Sequence, residues 1–69
     1  MYKRTFRKAD QTHRFVITNA KDFGWEVREE DDSHVISRVR YTDWHRVERA
    51  RMNFAVHALN LQSSGWKEL

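Results

Sequence analysis

The sequence contains no cysteine, no proline and only two glycines. Without cysteine, neither a disulfide bond nor a thiolate metal site can stabilise the fold. No apolar run approaches the roughly 20 residues that a membrane-spanning helix needs, and the first ten residues lack the apolar stretch of a signal peptide. We therefore expect a cytoplasmic protein, which the absence of cysteine also fits.

Aromatic and charged residues are what the chain does have: 13% of its 69 residues are aromatic and 33% are charged. A chain of this length forms one domain and buries only about 60% of its unfolded surface. Each large aromatic side chain buries roughly 150–250 Å², so a few of them can supply a small core. The candidates for this core are Tyr2, Phe6, Phe15, Phe23, Trp25, Tyr41, Trp44, Phe54 and Trp66.

The net charge of +3 is unevenly distributed along the chain. Residues 1–20 carry a net charge of +4, residues 21–33 carry −4, and residues 34–69 carry +3. This pattern predicts a basic N-terminal segment, an acidic middle and a basic second half.

Alternation of apolar and polar residues predicts three strands, over about 13–19, 25–30 and 34–41. The last two flank an Asp/Ser turn and should form a hairpin, with Val35, Val39 and Tyr41 in the inner row, although Ser37 also falls there. For the first strand, a short helix over 10–23 that stops at Gly24 is the alternative. Residues 1–12 are expected to form either an edge strand or a flexible basic arm.

From residue 43 the apolar period changes to 3.6, which predicts a helix over about 43–64. Thr42 or Asp43 should cap its start, and Gly65 should end it, with Trp66 folding back on Leu61. The residues of its buried stripe are Trp44, Val47, Ala50 or Arg51, Phe54, Ala58 and Leu61. The expected fold class is α+β, with a three- or four-stranded antiparallel sheet packed on one long C-terminal helix.

Catalytic and metal sites are not expected from these patterns. Asp43 and His45 could suggest acid–base chemistry, but helical residues two apart point in different directions, and no Ser or Cys is placed as a nucleophile. The histidines lie at 13, 34, 45 and 57 without metal-site spacing, which is typical of scattered surface histidines. We therefore predict no enzyme activity, no cofactor and no small-molecule substrate.

Arginines in the first turns of the helix need an explanation, because Arg46 and Arg49 oppose the helix dipole there. They could pair with the acidic residues Glu29, Glu30, Asp31 and Asp32. Alternatively, they could hold a phosphate together with basic residues of the outward strand rows. Those strand residues are Arg14, Arg28, Arg38 and Arg40.

A second apolar patch on the helix leads to the functional prediction. Met52, Val56 and Leu59 recur at i, i+4 and i+7, roughly 150° away from the buried stripe. We predict a small non-enzymatic interaction module that binds a protein partner or forms a homodimer through these residues and His45. Burial of the patch beneath residues 1–8 is the structural alternative. The competing function is nucleic-acid binding through the basic sheet face and the N-terminal arm.

Overall fold

The computed structural model describes residues 2–69, which form an α+β fold with five strands and one helix. The strands are β1 (Tyr2–Lys8), β2 (Gln11–Asn19), β3 (Trp25–Asp31), β4 (His34–Tyr41) and β5 (Lys67–Glu68). Helix α1 (Trp44–Ser63) lies between β4 and β5 in the chain. The fold class agrees with the prediction, but the predicted three or four strands are too few.

The five strands form one antiparallel sheet in the order β4-β3-β2-β1-β5. The first four strands follow one another as a meander, so each pairs with its neighbour in the chain. The alternative of a helix over 10–23 is wrong, because β2 occupies most of that segment. Residues 2–8 form strand β1, which pairs with β2 along its whole length and with the two-residue β5 only at Phe6 and Arg7.

The β3–β4 hairpin turns at Asp32 and Ser33, as the Asp/Ser signal predicts. Both residues have positive φ, which is the conformation of a two-residue hairpin turn that suits the twist of the strands. The register shifts at Glu29/Glu30, so that Glu30 pairs with Val35 and leaves Ile36 as the extra residue of a bulge. The expected inner position of Val35 is therefore wrong, and only Ser37, Val39 and Tyr41 continue the inner row.

Helix α1 begins and ends where the capping signals predict. The Asp43 carboxylate accepts a hydrogen bond of 3.0 Å from the backbone N–H of His45. At the other end, Gly65 has φ +93°, and the backbone N–H of Trp66 donates to the carbonyl of Leu61 at 3.0 Å. This 6→1 bond, with that of Gly65 to Gln62, defines a Schellman motif that turns the chain back towards β5.

The helix packs against one face of the sheet, and the core lies between them. Its buried members are Phe6, Phe15, Ile17, Val27, Val47, Phe54 and Ala58. Two predicted core residues lie outside it: Phe23 is 71% exposed in the β2–β3 loop, and Trp44 is 48% exposed although its ring lies 5.0 Å from that of Trp25. The other face of the sheet has no helix packed on it within residues 2–69.

Candidate functional site

The uncovered face of the sheet, here called the outer face, collects most of the basic residues. In an antiparallel pair, directly opposite residues point to the same side, so the register assigns each side chain to a face. Arg28 pairs with Val16 and Arg38, and Arg40 pairs with Glu26. The predicted row of Arg14, Arg28, Arg38 and Arg40 therefore lies on one face.

Three more basic residues, which the sequence analysis did not include, lie on the same face. Lys3 pairs with Val16, Arg7 pairs with Thr12, and the short β5 adds Lys67 opposite Arg7. The alternation of β1 was too weak to assign its faces from sequence, and β5 has only two residues, so neither gave a signal. The basic residues thus extend across all five strands, a width of about 19 Å at about 4.8 Å per strand.

Charge is segregated between this face and the rest of the molecule. Of the thirteen Lys and Arg residues, seven lie on the outer face, whereas only two of the ten Asp and Glu residues do. The outer face therefore carries a net charge of +5. The six basic and eight acidic residues elsewhere carry −2. Linear charge blocks along the sequence do not predict this distribution, because it depends on which residues of each strand point outward.

The two carboxylates of the outer face, Glu26 and Glu30, are shared among arginines. Arg28 donates to Glu30 and to Glu26 at 2.7 Å each. Its hydrogen bonds, that to Glu30 above all, raise the pKa of Arg28 above its ordinary value. Arg14 lies 3.3 Å from Glu30, and Arg38 lies 3.6 Å from Glu26. Two carboxylates thus hold three arginines in place across β2, β3 and β4 without neutralising them.

Four basic residues of the outer face make no ion pair with any residue of the described range 2–69: Lys3, Arg7, Arg40 and Lys67. Arg7 donates only to the carbonyl of Ala9, and this side chain is exposed. These four cations are therefore available to an external anion, whereas the paired arginines form a fixed centre between them.

Arg46 and Arg49 lie apart from the sheet arginines. They line an open groove of about 410 Å³ between the first half of α1 and the end of β4, together with Tyr41 and Asp43. The predicted pairing with the acidic hairpin is wrong within residues 2–69, because the carboxylates of that hairpin have other partners: Glu30 binds sheet arginines, and Glu29 binds histidine. The structure does bring Arg46 and Arg49 to one groove, but not to the outer face.

The second apolar patch of α1 is exposed. Met52, Val56 and Leu59 have exposed fractions of 65%, 59% and 63%, and His45 is exposed near them at the start of the helix. The alternative that residues 1–8 cover this patch fails for the described residues 2–8, which form β1. There Phe6 is fully buried in the core and the Tyr2 ring stacks on Phe54 at 6.2 Å, on the opposite side of the helix.

Two of the four histidines lie side by side, the buried His13 of β2 and the half-exposed His57 of α1, so the four are not simply scattered over the surface. His13 has only 9% of its surface exposed, and its ring centroid lies 5.5 Å from that of His57. His13 Nε2 lies 2.7 Å from Glu29 Oε2. Spacing along one element could not predict this cluster. The sequence does carry one indication, since both histidines fall near the core-facing side of their elements. His13 lies in the same strand row as Phe15, and His57 follows the buried Phe54 by three positions.

No family model matches this chain, and neither the search of curated proteins nor the search of solved structures finds a match. In the described range 2–69, no helix has both the length and the hydropathy that crossing a membrane requires. The side-chain geometry is therefore the basis for the functional argument.

Proposed function

We propose that this chain is a small non-enzymatic interaction module whose main binding surface is the outer face of the sheet, and that this face binds nucleic acid. The observation that supports this most directly is the charge segregation: net +5 on a face that the helix of residues 2–69 does not cover. Electrostatic contact with phosphates supplies most of the affinity in non-specific nucleic-acid binding. The sequence alone favours the helix patch as the main binding surface. The distribution of charge over the fold favours the outer face instead.

The composition of the outer face favours contact with the phosphate backbone of a duplex. Between the charged residues it presents Thr5, Thr12, Thr18 and the exposed Val35, while Val16 is only 4% exposed, and it has no aromatic side chain among the strand residues described. Proteins that bind single strands usually stack bases on aromatic side chains, and this face offers none. We therefore infer weak sequence preference and a strong dependence of affinity on salt. A nucleic-acid partner also agrees with the cytoplasmic location expected from the sequence.

A pair of matched double variants tests this function. Arg7→Glu/Arg40→Glu reverses two unpaired cations of the outer face, and Arg46→Glu/Arg49→Glu makes the same change in net charge on the helix side. With a random-sequence 20-base-pair duplex, the first variant should lose at least about tenfold in affinity, and the slope of log K against log salt should fall by about 2. The second should stay within about threefold of the parent. Equal losses in both variants, or no duplex binding by the parent at low salt, would contradict the proposal.

Self-association through the helix patch is a second candidate, supported by the exposure of Met52, Val56 and Leu59 on the side of α1 opposite the core. Apolar residues at i, i+4 and i+7 suit helix–helix contact. Because this patch and the outer face lie on opposite sides of the molecule, a dimer formed through it would leave both basic faces free. The surface area that three side chains can bury is small compared with the roughly 800 Å² per partner of a standard interface. We therefore expect a weak dimer.

Sedimentation of one helix variant and one control variant tests the dimer. The parent should show a concentration-dependent mass, and Val56→Glu should remain monomeric with an unchanged circular dichroism spectrum. Gln11→Glu, an equal change of charge at an exposed position of β2 away from the helix patch, should associate like the parent. A parent that remains monomeric at millimolar concentration would exclude self-association through this patch.

A further inference from the structure

We propose that His13, Glu29 and His57 form a binding site for a divalent transition-metal ion, and that Zn²⁺ suits it best. These residues come from β2, β3 and α1, and their ligand atoms all lie within 4.8 Å of one another. The proposal is independent of the nucleic-acid function, because the cluster lies between the helix and the sheet and not on the outer face.

The distances are close to those of a formed site. His13 Nε2 and His57 Nδ1 lie 2.7 Å and 3.8 Å from the same oxygen, Glu29 Oε2. Around a tetrahedral Zn²⁺ with bonds of about 2.0–2.1 Å, neighbouring ligand atoms lie about 3.3 Å apart. The two observed distances bracket that value, and all three ligand atoms lie within 4.8 Å of one another, so an ion requires that His13 and Glu29 separate slightly and that His57 moves closer.

The charge around Glu29 also points to a cation. Each of the other four glutamates in residues 2–69 pairs with at least one arginine. Glu29 has only the two imidazoles as partners, although it lies beneath the helix with a largely buried side chain. A buried carboxylate needs a compensating positive charge. A metal ion supplies that charge and uses both imidazoles in their neutral form, which is the form that binds metals.

Asp31 lies on the side of His13 where a supporting carboxylate acts, and it would have to approach to within hydrogen-bond distance when the metal binds. Metal-bound histidines usually donate their second ring N–H to a carboxylate, which fixes the ring and strengthens the ligand. Asp31 Oδ1 lies 3.9 Å from His13 Nδ1, the ring nitrogen that does not face Glu29. The rings of Phe15 and Trp66 lie 4.9 Å and 6.4 Å from that of His13 and restrict its movement.

The ligand set determines which ion and how many open positions to expect. Two imidazole nitrogens and one carboxylate oxygen form the set found in catalytic zinc sites, and the related facial arrangement binds other divalent transition metals. Three protein ligands leave at least one position for water or a small anion. His57 is half-exposed on the helix and provides the route by which an ion can enter.

Titration of the chelator-treated full chain with Co²⁺ tests the site, because tetrahedral Co²⁺ absorbs visibly and can be displaced by Zn²⁺. We expect one Co²⁺ per chain and a rise in the unfolding temperature with added Zn²⁺ that EDTA reverses. His57→Ala and Glu29→Gln should each weaken Zn²⁺ binding by at least about tenfold. Since His57 is half-exposed, His57→Ala should still fold, which circular dichroism verifies.

His34→Ala and His45→Ala are the matched controls, because both histidines are exposed and lie outside the cluster. Each control should bind Zn²⁺ within about twofold of the parent. Three results would overturn the proposal: no visible Co²⁺ absorption with the parent, undiminished binding by His57→Ala, or an equal loss in the controls, which indicates non-specific surface binding.

Discussion

At the scale of single residues, the two glycines have the same backbone conformation but different surroundings. Gly24 and Gly65 have φ of +91° and +93°, where a residue with a side chain is strained. A Cβ at Gly24 would lie 2.3 Å from the carbonyl oxygen of Tyr41, whereas the nearest atom at Gly65 is the flexible Lys8 Cε at 3.8 Å. The sequence predicts turns at both glycines. Only the structure shows that Gly24 also lacks space for a side chain, whereas Gly65 has that space.

Alanine substitution should separate these two effects. Gly65→Ala should lower the free energy of unfolding by about 1 kcal/mol, the usual cost of a left-handed conformation for alanine. Gly24→Ala carries that cost and also forces β4 away from the loop, so we expect a loss of at least about 2–3 kcal/mol. Urea unfolding at pH 7 measures both variants. Equal losses would show that the clash between the added methyl group at position 24 and the Tyr41 carbonyl costs no free energy.

Two phenylalanines test which aromatic residues form the core. Phe15 is fully buried and contacts the rings of Phe6, His13, Phe54 and His57, whereas Phe23 is largely exposed. Phe15→Leu should lower the free energy of unfolding by about 1–2 kcal/mol, because leucine leaves a cavity among these rings. Phe23→Leu should change it by less than about 0.5 kcal/mol. A larger loss for Phe23→Leu would place that residue in a contact that the fold does not explain.

At the scale of elements, the sequence predicted most of the fold because its local signals agree with each other. The period-two rows predict β2, β3 and β4, and the Asp43 cap, the 3.6-residue period and Gly65 predict α1 to within one residue at each end. The only sign of the bulge at Ile36 in the sequence is that the polar Ser37 falls in the otherwise apolar inner row of the predicted strand. Strand β5 could not be predicted, since two residues carry no period and the strand depends on pairing with a distant β1.

Arg4 and Glu68 join β5 to β1. Arg4 Nη2 lies 2.7 Å from Glu68 Oε1, and this hydrogen bond lowers the pKa of Glu68 below its ordinary value of 4.5. A carboxylate with a lowered pKa in the folded state stabilises the fold at pH values above its unfolded pKa. That contribution is lost as the pH falls through the lower, folded-state pKa.

Glu68→Gln should therefore be less stable than the parent at pH 7, and the difference should be smaller at pH 3, which lies below the ordinary pKa of 4.5. Both side chains are about one-third exposed, so the difference at pH 7 should stay below about 1 kcal/mol. Urea unfolding at the two pH values measures it, with Glu48→Gln as the control because Glu48 pairs only with the exposed Arg51 on the helix surface. A difference that persists unchanged at pH 3 would mean that Glu68 acts through packing and not through its charge.

At the scale of the whole molecule, the two candidate surfaces and the histidine cluster occupy three separate places. The outer face lies on one side of the sheet, the helix patch lies on the far side of α1, and the cluster lies between helix and sheet. The sequence predicted the first two by their residues, because face assignment needs only local periodicity. It missed the cluster and the full extent of the basic face, which depend on the register of strands that are distant in the chain.

The measurement that tests the central claim most directly is a ¹H–¹⁵N spectrum of the full chain during titration with a short random-sequence duplex at low salt. The amide shifts should concentrate at Lys3, Arg7, Arg28, Arg38 and Arg40, leave the helix patch unchanged, and disappear as salt is raised. Shifts confined to helix α1, or no shifts at millimolar duplex, would contradict the assignment of the outer face as the nucleic-acid-binding surface.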